Sequence, residues 1–113
     1  MQMLNHGLRL FEHLALTAEQ QWNSTGQIGL VAGATYPNEI ASIRRLAPSL
    51  PLLIPGIGAQ GGDLLATVKA AQTNFLINAS RSILYASAKS DWQQAAAREA
   101  QTLQTAIEEA RAQ

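Results

Sequence analysis

The sequence contains no cysteine, which excludes disulfides and thiol chemistry and fits a reducing compartment. Only 14% of its residues are charged and the formal net charge is +0, so it carries no electrostatic footprint for nucleic acid or an acidic membrane. No apolar run approaches the roughly 20 residues of a membrane span. Met1-Gln2-Met3-Leu4-Asn5-His6 also lacks the charged-then-apolar build of a signal peptide. These absences lead to the expectation of a soluble, cytoplasmic protein with no nucleic-acid or membrane partner. What is present is apolar: 47% of 113 residues, the size of one domain with a modest core.

The chain opens with a helical pattern from about Leu8 to Trp22. Leu10, Leu14 and Ala18 recur about one turn apart, with Phe11 and Ala15 beside them, and Glu12 falls elsewhere. Asn23-Ser24-Thr25-Gly26 stops it, and Ile28 to Ala34 follows as a continuous apolar run of strand length. Such runs mark strands covered on both faces. Pro37 suits the first position of a second helix and Glu39 its positive end, with Ile40, Ile43 and Ala47 on the inner face. A second apolar run, Pro51 to Ile54, leads into Pro55-Gly56-Ile57-Gly58-Ala59-Gln60-Gly61-Gly62-Asp63, and a third helical pattern begins at Leu64. Phe75 to Asn78 reads as a third short strand. The end of the chain reads as a long amphipathic helix, opened by a capping box at Ser90 and Gln93, with Trp92, Ala96, Ala100, Leu103, Ile107 and Ala110 along one side.

The glycine-rich stretch between the second strand and the third helix is the chemical centre of this pattern. Glycines there permit φ > 0 and close approach of backbone to a ligand, and free N–H groups at a helix start favour an anion such as phosphate. A tight turn with no ligand fits the glycines equally well. Alternating helices and strands make an α/β fold with parallel strands. Three parallel strands leave two edges to be paired, covered or closed into a barrel, and a complete (β/α)₈ barrel takes about 250 residues. The chain is therefore expected to be a piece of something larger.

Three blocks in order, Gly29-Leu30-Val31-Ala32-Gly33-Ala34-Thr35-Tyr36-Pro37, Pro55 to Asp63, and Asn78-Ala79-Ser80-Arg81-Ser82-Ile83-Leu84-Tyr85, resemble the C-terminal part of orotidine 5′-phosphate decarboxylase, bacterial type 2 subfamily. The resemblance implies the C-terminal part, about three βα units with strands six to eight, of a (β/α)₈ TIM barrel, with parallel strands and a long C-terminal helix. Residues 1–113 would form one partial barrel domain. It also implies a lyase that removes CO₂ from orotidine 5′-phosphate to give UMP in pyrimidine synthesis, with no cofactor and no metal.

By the same resemblance, Gln60 would touch the phosphate and the pyrimidine, and Arg81 would pair with the phosphate, as a planar fork of donors suits a dianion. Backbone around Gly58, Gly61, Gly62 and Ser80 would supply N–H donors, and Pro55 would line the pocket. The family's Asp-x-Lys-x-x-x-Asp array is missing. The lysines here are Lys69 and Lys89 and the aspartates Asp63 and Asp91, and none has that spacing. His6 and His13 read as surface or packing residues. No catalytic residue is therefore expected in this chain, and alone it should be inactive. A homo-oligomer or a complementing N-terminal half would complete it. The alternative is a non-catalytic nucleotide- or phosphosugar-binding half-barrel, or a partner subunit.

Overall fold

The computed structural model describes residues 7–57 and 63–113. Helix α1 (Leu10–Thr17) runs into a π-helical turn (Ala18–Trp22), followed by β1 (Leu30–Val31), α2 (Pro37–Leu46), β2 (Leu52–Pro55), α3 (Leu64–Ala71), β3 (Phe75–Asn78), α4 (Arg81–Leu84) and α5 (Trp92–Ala112). The strands form one parallel sheet in the order β1-β2-β3. Leu30 lies opposite Leu52, Leu52 opposite Phe75, and Pro55 opposite Asn78.

Local chemistry places the helices. Pro37 occupies the first turn of α2, Glu39 follows it, and Arg44 and Arg45 sit in the last turn, so the charges complement the helix dipole at both ends. Asp63 caps α3, its Oδ1 accepting the Ala66 N–H at 3.1 Å. At the start of α1, Glu12 Oε2 accepts the Arg9 N–H at 2.8 Å while Oε1 takes the Arg9 guanidinium at 3.4 Å. The core lies between helices and sheet, where Ala15, Ala18, Ile40, Ile43, Leu52, Ile54 and Ala71 are buried together. Helix α2 packs on α1 and α3, and α5 packs on α3 and α4.

Several expectations are corrected. The β1 run is covered on one face only: Val31 is 69% exposed, and its neighbours Leu53 and Leu76 are 42% and 71% exposed. Residues alternate in burial along β2, with Leu52 and Ile54 packed into the core and Leu53 turned away from it. The apolar stripe of α1 is rotated. Ala15 and Ala18 are buried, Leu10 and Leu14 are about half exposed, and Glu12 is buried because its cap bonds draw it inward. Ser90 does not cap α5; Asp91 holds the cap position, without a side-chain cap bond, and accepts the Ser87 hydroxyl at 2.6 Å. The buried residues of α5 are Ala95 and Ala110, while Trp92 is exposed. Strand β1 is shorter than the run from Ile28 to Ala34, although Ala32 and Ala34 still donate to Leu53 and Pro55 at 3.0 and 2.8 Å. The inner face of α2, the bounds of α3 from Leu64, and β3 agree with the sequence pattern.

Candidate phosphate site

The parallel register brings the C-terminal ends of β2 and β3 side by side, with Pro55 against Asn78. Beyond them the chain leaves the sheet on both sides of a small cleft of about 90 Å³, lined by Pro55, Gly56, Ile57 and the run from Asn78 to Ser82. Gly56 forms the wall at φ +101°, a backbone state that an L side chain rarely adopts, so glycine is required there. On the other side Ser80 ends the strand-to-helix turn, its carbonyl accepting the Leu84 N–H at 2.8 Å. Its hydroxyl makes no capping bond.

Of the residues singled out from the sequence, Pro55, Ser80 and Arg81 meet at this cleft. Arg81 is exposed, and among the described residues no carboxylate pairs with it. Gly58, Gln60, Gly61 and Gly62 lie outside the described residues, as does His6. Lys69, Lys89, Asp63 and Asp91 do not line the cleft. Asp63 caps α3, and Asp91 receives Ser87 and stands 3.9 Å from Arg98. The arrangement offers one cation and strand-end backbone to an anion, and no group within the described lining to move a proton. Among the described residues no group of three or more metal-binding side chains occurs.

The structure contains one polar centre that the sequence pattern did not single out. Arg44, 3% exposed, donates from Nε to the Ala71 carbonyl at 2.8 Å, from Nη1 to Leu50 at 2.7 Å, Ala47 at 3.2 Å and Pro48 at 3.4 Å, and from Nη2 to Thr73 at 2.8 Å and Asn74 at 3.3 Å. Burial lowers its pKa from the ordinary value, and Glu19 opposes that shift. A guanidinium stays charged at neutral pH despite that shift. A signal was available: position 44 falls on the same helical face as Ile40, Ile43 and Ala47.

Comparison with known proteins finds similar chains of one kind. The chain is 55% identical over 113 residues to an orotidine 5′-phosphate decarboxylase of Leptothrix cholodnii, covering 92% of this chain and 40% of that protein. It is 53% identical over 109 residues to the decarboxylase of Bordetella petrii, with the same coverage. The chain is a relative of the orotidine 5′-phosphate decarboxylases. It spans about 40% of the length of these curated relatives and corresponds to their C-terminal part.

Solved structures agree. Leishmania donovani UMP synthase superposes with a TM-score of 0.76 at 36% identity, over 95% of this chain and 24% of the other. The OMP decarboxylase of the same organism gives 0.73 at 32% identity, over 94% and 40%. The three parallel strands and long last helix thus match the C-terminal part of the (β/α)₈ barrel of these neighbours. No protein-family model matches the chain. No described helix is long and apolar enough to cross a membrane.

Proposed function

We propose that this chain is the part of an orotidine 5′-phosphate decarboxylase that holds the substrate phosphate, and that the groups acting on the carboxylate come from another stretch of polypeptide. The observation that carries the reading is the cleft between the ends of β2 and β3, with Arg81 in its lining and no carboxylate paired to it among the described residues. A phosphate at the ends of the last two strands has the strand-end backbone for donors and a planar cation for charge. Gly58, Gln60, Gly61 and Gly62 join the same site in this reading, which for them rests on the resemblance of the motif.

The complementing polypeptide would be the N-terminal part of the barrel. Its strands would pair with the free sides of β1 and β3 and cover the apolar face that carries Val31, Leu53 and Leu76. The absence of a proton donor from the described lining of the cleft favours one second reading, a half-barrel that binds a nucleotide without transforming it.

Titration of the complemented protein with UMP and uridine separates phosphate binding from a bare structural turn. UMP is expected to bind far better than uridine. Arg81→Ala should weaken UMP by about tenfold or more, since a charge-assisted hydrogen bond is worth roughly 1.5–3 kcal/mol, and leave uridine unchanged. Equal losses for both would show that Arg81 supports the fold and not the phosphate.

A further inference from the structure

The cleft depends on two strands of four residues each being held in one register, and so short a ladder has few bonds of its own to fix it. A slip of one residue would shift one strand by about 3.3 Å and turn its side chains to the other face. At the end of the sheet opposite the cleft, Arg44 bonds to carbonyls just before both strands: Leu50 before β2, and Thr73 and Asn74 before β3. The Asn74 carbonyl also accepts the Leu52 N–H at 3.0 Å. One carbonyl therefore joins the first rung of the ladder to the guanidinium.

The turn before β3 is shaped for this contact. Gln72 sits at φ 66°, ψ −83° and Asn74 at φ 56°. The first of these lies near the strained γ-turn region. Such backbone persists where surrounding bonds hold it, and here the carbonyls of residues 71, 73 and 74 all face Arg44. The Asn74 side chain adds a bond to the Ser49 carbonyl at 3.1 Å.

We infer that Arg44 is a positioning residue: by pinning the starts of β2 and β3 it sets how Pro55 and Gly56 stand against Asn78 to Arg81, about 10 Å away at the other end of the strands. The functional weight of this rests on the phosphate reading of the cleft; the register itself does not.

The test compares the 113-residue chain with Arg44→Lys and with Val68→Ala, a buried core change on α3 that serves as the control for lost stability. Trimethylamine N-oxide is added equally to all samples so that each stays folded. NMR reads the cross-strand contacts of Leu53 with Leu76 and Pro55 with Asn78, and the amide shifts of residues 56–57 and 78–82. In Arg44→Lys these contacts should weaken and these shifts should move, while Val68→Ala leaves both in place at an equal or larger loss of Tm. If Arg44→Lys perturbs only residues 47–50 and 71–74, the inference is overturned. UMP is titrated against the same variants in the complemented protein: a tenfold loss confined to Arg44→Lys extends the inference to binding. If the wild-type complemented protein binds no UMP, the phosphate reading fails and the register result alone decides the inference.

Discussion

Arg44 Nε donates to the carbonyl of Ala71 at 2.8 Å, joining helix α2 to the last residue of α3 across 27 positions of sequence. With its other bonds this guanidinium joins two stretches of chain, residues 47–50 and 71–74, to α2. A buried charge is tolerated only when its donors are satisfied, and here backbone oxygen alone satisfies them. Arg44→Leu removes the donor and strands several carbonyls in the interior. The expected loss is about 1–3 kcal/mol for each carbonyl left buried without a donor, read as the shift in urea midpoint at unchanged slope.

Glu12 makes stability depend on acid. The Arg9 backbone N–H, then the Arg9 side chain and its charge, hold the carboxyl below its ordinary value of 4.5, against the opposing pull of burial. A carboxylate with a depressed folded-state pKa contributes stability that is fully present above the unfolded value and is lost as pH falls through the folded one. Denaturation midpoints should therefore fall below about pH 4.5, and Glu12→Gln should flatten that part of the profile while lowering stability at pH 7.

Gly56 at φ +101° should not accept a side chain. Gly56→Ala is expected to cost about 1–2 kcal/mol and to displace Pro55 at the cleft. Thermal melting measures the first effect, and UMP affinity in the complemented protein measures the second.

Leu76 separates folding from assembly. It is 71% exposed, so Leu76→Glu should change the stability of this chain by no more than about 0.5 kcal/mol. If an N-terminal barrel part covers that face, the same substitution should abolish complementation. Equal complementation by Leu76→Glu would show that the face stays open.

The chain without a complement should give no measurable decarboxylation, because it lacks the Asp and Lys array that the family resemblance associates with proton transfer. Turnover that persists after rigorous removal of host enzyme would contradict this.

Much of this architecture was legible in sequence, for identifiable reasons. Helix α3 and strand β3 are bounded by strong local signals, Asp63 before Leu64 and the turn at residues 72–74, and their limits follow from chemistry a few residues long. Asn78 to Ser82, singled out by their motif, line the cleft, and their role toward phosphate stays a proposal. What escaped was long-range. Whether Val31 is covered depends on contacts beyond those this chain makes with itself, and the contiguous apolar run carries no mark of which face is covered. The rotation of α1 comes from Glu12 bonding backward to Arg9, which pulls a charged side chain into a half that hydrophobicity assigns to leucine. Arg44 was missed because its partners are backbone carbonyls, which every sequence contains.

Those partners also impose an order of events on folding. Three of the six acceptors, in Ala71, Thr73 and Asn74, lie 27, 29 and 30 residues after Arg44. During synthesis α2 and β2 emerge first, and until the turn before β3 follows, half of the guanidinium's final acceptors do not exist. Desolvating the charge early is costly, so Arg44 remains in water while local helix forms. Its burial should then be completed in the same step that docks β3, so that destabilising that strand slows the ordering of the first two.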